Sequence, residues 1–455
     1  MRAPSVVRRG SLAILTVIVA IVVVVWHHSR GNPAIGVVLI TLDTTRADRL
    51  TPYGLMDVPM PALERLAADG LVFDQAMSVA PLTLPAHASL FTGLFPPAHG
   101  VRDNSDASLA GEHVTLAEVL HAQGVRTGAF VGSYILDSRR GLAQGFDTYR
   151  GPVSPEDGGP RTGQRRADEV ITEATAWLEH VVPARFFLWA HLYDPHRPYD
   201  PPEPYRSRFI DPYIGEIAFV DAQIEHLLDA LETRGVLDRT IVIVAGDHGE
   251  SLGDHGERDH GIFIYENVLR VPLIIRAPGF APARIGSVVR LVDVMATALD
   301  LIGVAAPASQ GVSLRKLMTG ETADLELDAY AESLYPMRFG LSSLRSLRQG
   351  QFKFIEAPGP ELYDLERDPF EEMNLFNERP GTAGKMARRL QALAGELDSA
   401  AASVSTELMQ GISALGYVST SPAGDPRGPL PDPKDCMRDG LPRSVTAGCQ
   451  PGGRR

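Results

Sequence analysis

The chain has 455 residues, 44% of them hydrophobic and 22% charged, with a formal net charge of −13. That length allows two to three domain-sized units around a large core, and the acidic balance argues against a nucleic-acid partner, which needs basic surface. The two cysteines, Cys436 and Cys449, both lie in the C-terminal tail, so neither a cysteine nucleophile nor a Cys/His zinc motif is available to the body.

In chain order, Arg2, Arg8 and Arg9 precede an apolar run from Leu12 to Trp26 broken only by Thr16. A basic flank before an apolar stretch predicts a signal-anchor over residues 1–30, uncleaved, with the body outside the cytoplasm in the cell envelope, periplasmic or extracellular. Ile35 to Leu42 is a nearly continuous β-rich apolar run, as in a strand buried on both faces. It ends at Asp43-Thr44-Thr45-Arg46. Ligands in open α/β sheets bind beyond the carboxyl ends of strands. Asp43 is therefore a candidate ligand and Arg46 a candidate anion contact, against the plainer reading of a turn-capping Asp beside a solvated Arg.

Met60 to Ala68 predicts an amphipathic helix stopped at Gly70. Next comes APLTLPAHASLFTGLFPPAHGVRDN, residues 80–104. Pro85 suits a first helical turn, Ala86 to Phe91 favour helix, and Thr92-Gly93 ends it. Thr83 would then sit at a helix N-terminus, where free N–H donors and the dipole suit attack on an anionic ester. The plainer reading is a proline-rich surface loop. Leu116 to His121 reads as helix, Arg126 to Gly132 as strand, Gly151 to Gly163 as loop and Ala167 to Glu179 as helix. Arg185 to Leu192 is a third strand, closing on His191-Leu192-Tyr193-Asp194-Pro195-His196, after which four prolines forbid regular structure. Ile214 to Arg234 is a long helix. Thr240 to Ala245 is a fourth strand running into Gly246-Asp247-His248-Gly249-Glu250, and Val271 to Arg276 is a fifth.

Strands alternating with helices, with polar clusters at the strand ends, predict a doubly wound α/β sheet flanked by helices. From Asp328 the pattern shortens to a smaller antiparallel appendage, with Glu361 to Asp364 opening a turn and Lys385 to Leu397 helical. The expected organisation is an anchor over 1–30, a catalytic α/β domain over 31–327, a C-terminal subdomain over 328–418 and a disordered tail over 419–455.

The strand ends and the helix start gather Asp43, Thr83, Asp194, His196, Asp247 and His248, with His255, Asp259 and His260 just downstream. Mixed Asp and His donors suit Zn, Mn, Fe or Mg. Displacement at phosphorus or sulfur needs such a set. A metal lowers the pKa of a hydroxyl and neutralises an ester oxygen, without which threonine is a weak nucleophile, and histidines hold the remaining oxygens or protonate the leaving group.

Five stretches then resemble, in order, the sulfatase family of the alkaline phosphatase superfamily: ITLDTTRADRL, PLTLPAHASLFTGLFPPAHGVRDN, FFLWAHLYDPHRPYDPP, VIVAGDHGESLGDHGERDHGIFIYENVLRVPLIIRAPG and FKFIEAPGPELYDLERDPFEEMNL, within residues 35–415. The resemblance implies an alkaline phosphatase-like fold and assigns roles by position. Asp43, Asp247 and His248 fall on metal-ligand positions, and Asp194 on a second-metal position. Thr83 falls on the nucleophile, His87 where the family carries arginine, and Asn104, His196 and His260 on substrate-oxygen contacts.

The departures from the pattern are specific. The family makes formylglycine from a Cys or Ser in C/S-x-P-x-R. Here the segment is Thr83-Leu84-Pro85-Ala86-His87, and a threonine β-carbon carries a methyl group that forbids that conversion. Thr44 stands for a second acidic calcium ligand, His248 for an asparagine and His260 for a lysine. These changes favour Zn or Mn over Ca or Mg, as one or two ions. Relatives with threonine here are phosphodiesterases, nucleotide pyrophosphatases and phospho-group transferases. The expectation is a membrane-anchored, metal-dependent hydrolase of a small anionic sulfate or phosphate ester, on an envelope glycan or lipid. It would act through a Thr83 intermediate, with phosphate mono- or diesters favoured. The alternatives are an envelope phospho-group transferase of the phosphoethanolamine or glycerol-phosphate type, a true sulfuric ester hydrolase, and a non-catalytic binding protein of the same fold.

Overall fold

A computed structural model describes residues 34–104, 108–152, 164–395, 430–438 and 441–442. The anchor expected over 1–30 and most of the 151–163 loop lie outside them. Among the described residues no helix is long and apolar enough to cross a membrane.

The main sheet is built from β1 (Gly36–Leu42), β2 (Leu71–Met77), β3 (Arg126–Val131), β4 (Thr148–Arg150), β5 (Phe186–Leu192), β6 (Thr240–Gly246), β7 (Arg270–Val271), β8 (Leu273–Arg276) and β9 (Ala283–Arg290), in the order β4-β3-β5-β1-β6-β8-β2-β7 with β9 on β2. β1 lies between β5 and β6, parallel to both, with Leu42 opposite Leu192 on one side and Gly246 on the other. Helices α1 (Pro61–Asp69), α2 (Thr83–Thr92), α3 (Leu116–Ala122), α4 (Ala167–Val181), α5 (Pro212–Thr233) and α6 (Asp293–Leu301) cover its two faces.

Because successive strand residues face opposite ways, the apolar runs feed two cores. Leu39, Trp189 and Ile243 pack with Leu84, Phe91, Leu116 and Leu299 from α2, α3 and α6. Ile40, Leu188 and Val244 pack with Leu66, Ala174 and Leu228 from α1, α4 and α5. Each such side chain, fully buried, contributes about 1.5–3 kcal/mol, which is why the strand ends that carry the polar residues are held rigidly.

The sheet is mixed rather than uniformly parallel, since β8 runs antiparallel to β6 and to β2. The run expected as one strand over Val271–Arg276 is divided at Pro272, which has no N–H to give a ladder. Glu361–Asp364, expected to open a turn, is instead strand β13. It follows β10 (Ala329–Ser333), β11 (Leu344–Gln349) and β12 (Phe352–Glu356) in a four-stranded antiparallel sheet. Leu362 and Tyr363 feed different clusters, as alternation requires. Helix α7 (residues 380–395) lays Ala383, Met386 and Leu390 on Tyr330, Leu347, Phe354 and Leu362 of this sheet. Part of the stretch expected to be a disordered tail is ordered: Asp432 accepts the Gly359 N–H at 2.9 Å, Lys434 Nζ donates to Gly359 O at 2.8 Å, and Cys436 is buried and disulfide-bonded.

A buried ion cluster ties the two sheets together. Lys353 of β12 is fully buried, with Nζ 3.2 Å from Glu266 Oε1 and 3.0 Å from Glu371 Oε1. Arg348 of β11 also pairs with Glu266. Removing one partner of such a cluster leaves carboxylates buried with too little countercharge, at a cost of about 3–5 kcal/mol. Lys353→Met is therefore expected to lower the denaturant midpoint of the whole chain; an unchanged midpoint would show that Arg348 alone suffices.

Candidate active site

Three neighbouring parallel strands end together, and their ladder continues one residue further. The Asp43 N–H donates to Leu192 O at 3.0 Å and the Asp247 N–H to Leu42 O at 3.2 Å. That rung sets the two carboxylates side by side, with His248 next. Ligand atoms of Asp43, Asp247 and His248 all lie within 4.8 Å of one another, and all three residues are fully buried.

Asp247 Oδ1 accepts the His248 N–H at 2.7 Å and the Thr44 N–H at 3.2 Å. Both Asp43 oxygens and Asp247 Oδ2 have no hydrogen-bond partner. Burial and the Asp43 charge push the Asp247 carboxyl well above the usual range. Burial also pushes Asp43 upward, but His191, with Nε2 3.4 Å from Oδ2, and the nearby His196 and His248 outweigh it and hold Asp43 low. His248 Nδ1 faces the Gly249 carbonyl at 2.9 Å and must donate there, so Nε2 offers a lone pair. Burial, then His260, lowers the His248 pKa to about 3 and keeps the ring neutral. Orphaned buried carboxylate oxygens beside a neutral imidazole are costly alone, and they fit a divalent cation.

Thr83 is the first residue of α2 and is 3% exposed, with Oγ1 3.4 Å from His248 Nε2. The next N–H, of Leu84, donates to Asn104 Oδ1 at 2.8 Å. Thr44, the position of a second acidic ligand in the resemblance, has a left-handed backbone (φ 48°) and donates Oγ1–H to Pro195 O at 2.7 Å. Its side chain thus points to a carbonyl and not to the carboxylate pair.

His260 stands over His248 with ring centroids 4.6 Å apart, and His196 meets His260 at 5.2 Å. His260 Nδ1 donates to Glu250 Oε1 at 3.0 Å. Burial opposes the charged ring, but Glu250 overcomes it and raises the His260 pKa to about 9. His196, with Nδ1 2.7 Å from Tyr193 Oη and 2.7 Å from Arg197 O, is held down by burial. Asn104 and His260 open on a cavity of about 370 Å³.

Three expected site residues point elsewhere. His87 lies one turn past Thr83, so Nδ1 donates to Thr83 O at 2.8 Å while Nε2 meets Thr41 Oγ1 at 3.0 Å. It is fully buried and neutral, its pKa brought to about 3 by burial and then His191. It braces the start of α2 from behind instead of touching an anion. Arg46 spends its fork on Asp48 at 2.9 Å and Asp254 at 2.7 Å, and on the Glu250 and Ser251 carbonyls. It is a strut under the Gly249–Asp254 turn. Asp194 accepts the Ala167 N–H at 2.7 Å, where α4 begins, and stands apart from the Asp43 group.

Three further residues belong to the site. His191 Nε2 lies 3.4 Å from Asp43 Oδ2, and Nδ1 is 3.1 Å from Thr41 Oγ1. Thr41 also accepts the Trp189 indole N–H at 3.0 Å. His191 and Thr41 are rung partners across β5 and β1; the signal was a polar residue near the end of each apolar strand. Glu250 accepts from His260 and from Tyr199 Oη at 2.8 Å; its signal was a carboxylate two residues beyond His248.

Residues 36–304, more than half of the chain, match the family model described as Sulfatase, and residues 253–398 match that described as N-sulphoglucosamine sulphohydrolase, C-terminal. An ulvan-active sulfatase of Formosa agariphila is 25% identical over 393 residues, spanning 75% of this chain and 76% of its own. An arylsulfatase of Clostridium perfringens is 25% identical over 439 residues, spanning 75% of this chain and 90% of its own. The crystal structure of a phosphonate monoester hydrolase of Agrobacterium radiobacter superposes with a TM-score of 0.69 at 23% identity, covering 80% of this chain and 96% of that one, a likeness of fold.

Proposed function

The chain belongs to the sulfatase family of ester hydrolases, and from that premise we propose that Thr83 attacks a small anionic ester, with phosphate mono- or diesters preferred to sulfate esters. The observation that carries the reading is the Thr83 hydroxyl at a helix N-terminus, 3.4 Å from His248 Nε2 and beside orphaned carboxylate oxygens. Threonine cannot yield the formylglycine of the family's sulfatases, so the hydroxyl itself must react. A solved neighbour of the same fold is titled a phosphonate monoester hydrolase, which supports this reading.

Asp43, Asp247 and His248 would hold a divalent cation, which would supply the lowered hydroxyl pKa and the charge neutralisation that this displacement needs. We take Zn or Mn as that ion, on the oxygen and imidazole donors. The chain's own residues do the rest. The start of α2 orients the Thr83 Oγ, braced by His87 through the Thr83 carbonyl. Asn104 holds the Leu84 N–H and lines the cavity where the substrate oxygens lie. His260 keeps its Nδ1 proton on Glu250, which leaves Nε2 for the ester. As the Thr83 oxygen, its proton given up to water, bonds to phosphorus or sulfur, the bond to the leaving oxygen breaks and that oxygen takes the Nε2 proton of the charged His260 ring. Water then cleaves the Thr83 ester.

The curated relatives are named for sulfate esters, which keeps a sulfuric ester hydrolase as the second reading. Matched nitrophenyl sulfate, phosphate monoester and phosphate diester, offered to the metal-replete protein, decide between them. Faster turnover of either phosphate ester is the expected result; faster sulfate turnover would overturn the preference. Transfer of the phospho-group to a glycan hydroxyl in place of water would mark a transferase, and silence on every ester a binding protein.

We also place the protein at the cell envelope, held by residues 1–30. The support is Arg2, Arg8 and Arg9 ahead of the Leu12–Trp26 run, with the disulfide at Cys436 fitting an oxidising compartment. Recovery of the full chain in the soluble fraction, without detergent, would refute the anchor.

A further inference from the structure

The sheet face that α2 covers ends in a buried polar hub. Thr41 follows Leu39 on that face of β1, and its rung partner His191 follows Trp189 on the same face of β5. Thr41 Oγ1 lies 3.0 Å from His87 Nε2, 3.1 Å from His191 Nδ1 and 3.0 Å from Trp189 Nε1. All four side chains are fully buried, so bulk water cannot stand in for any of these partners.

A threonine hydroxyl has one proton to give and two lone pairs to offer, and here each meets one partner. The order is set from the helix side. The Thr83 carbonyl can only accept, so His87 Nδ1, 2.8 Å away, carries a proton. Burial keeps that ring neutral, so Nε2 accepts the Thr41 proton. With its proton committed, Thr41 can only accept from the other two. The Trp189 indole N–H is a donor in any case, and His191 Nδ1 must then carry a proton as well.

The same two rings stand behind the two carboxylates. His191 Nε2 lies 3.4 Å from Asp43 Oδ2, and His87 Nδ1 lies 3.7 Å from Asp247 Oδ2. The rings meet edge to face with centroids 4.9 Å apart, and in a close-packed interior a turn of one displaces the other. One hydroxyl therefore holds the first carbonyl of α2 and the backing of both carboxylates in a single register.

We propose that Thr41 is a positioning residue of this site: it gives its proton to His87, takes those of His191 and Trp189, and so sets the Thr83 end of α2 and the Asp43–Asp247 pair relative to each other. The proposal rests on the reading of those carboxylates as cation ligands and of Thr83 as nucleophile, and it adds the group that couples them. Groups that orient metal ligands from behind change metal affinity about 10- to 100-fold when removed.

Two measurements test it, and neither uses an ester. The full metal-free chain, with nitrogen-15 in its histidines, would be read by long-range proton–nitrogen NMR, which reports the ring nitrogen that carries a proton. Loss of signals in His87→Gln and His191→Gln assigns the two rings. Both are expected to be protonated at Nδ1, and a bare Nδ1 on either ring would overturn the ordering. This reading of the wild type holds even where a Thr41 variant fails to fold. Calorimetric titration with zinc then tests the coupling. Thr41→Val keeps the shape and removes the hydroxyl; it is expected to bind zinc about 10- to 100-fold more weakly, with thermal unfolding checking the fold. Thr41→Ser restores the hydroxyl and is expected to bind zinc as the wild type does. Wild-type affinity in Thr41→Val would overturn the coupling, and an equal loss in Thr41→Ser would assign the effect to packing and overturn it too. The expected protonation and zinc affinities in a protein that turns over no ester would keep the positioning role and remove the hydrolase.

Discussion

Thr83→Ala is expected to reduce ester turnover by a factor of about 10³ or more, without loss of fold or of metal. The size follows from its position. Thr83 Oγ1 is 3.4 Å from His248 Nε2, whereas the hydroxyl of Ser78, which also touches Asp247, is held by the Asp247 and Ala80 carbonyls. The fold should survive, because the structural work of the α2 start is done by backbone and neighbours: the Thr83 carbonyl accepts from His87, and Asn104 caps the Leu84 N–H. Deleting a hydroxyl and one methyl group at this position removes little packing beside the whole of α2, all of whose residues are buried. Thr83→Ser is the informative partner, since it restores a hydroxyl and loses only the methyl, and should recover much of the rate. Wild-type turnover in Thr83→Ala would assign the attack to water and end the covalent reading.

The positions of Asp43, Thr83, Asp247 and His248 were legible because strands buried on both faces announce themselves as unbroken apolar runs, and the polar residues that end them stand out. Ligation by a strand end is a local property, so local sequence reveals it. What remained hidden was set by tertiary pairing. β2 interrupts its apolar pattern with the half-buried Asp74 and Gln75, and β9 begins on exposed residues at the sheet edge, so neither has a strand's periodicity. The roles of His191 and Thr41 come from their being rung partners 150 residues apart. The partners that His87, Arg46 and Asp194 take were hidden for the same reason. Residue type and motif position suggested anion and metal contacts, while the backbone carbonyls, N–H groups and carboxylates that engage them come from distant turns.

Asp247→Asn is expected to move activity and metal-free stability in opposite directions. The asparagine oxygen can still accept the His248 and Thr44 N–H groups that Oδ1 now accepts at 2.7 and 3.2 Å. The other ligand atom, Oδ2, becomes an NH2 group directed at the Asp43 carboxylate, a donor where a cation needs an acceptor. Metal occupancy and turnover should both collapse, the latter by about 10³-fold or more. In the metal-free protein the same change removes a buried like charge, the interaction that with burial raises the Asp247 pKa. A raised carboxyl binds a proton in the folded chain that the unfolded chain has released. Metal-free wild type should therefore lose stability as pH rises from near the unfolded value of 3.8 through the higher folded value. Asp247→Asn should lack that decline and unfold at a higher temperature than metal-free wild type at neutral pH. Adding Zn or Mn at a hundred times its dissociation constant should stabilise wild type by about 2.7 kcal/mol and leave the variant unmoved. Full metal occupancy in Asp247→Asn, or a wild-type unfolding midpoint indifferent to chelator, would show that these carboxylates are held apart by something other than a cation.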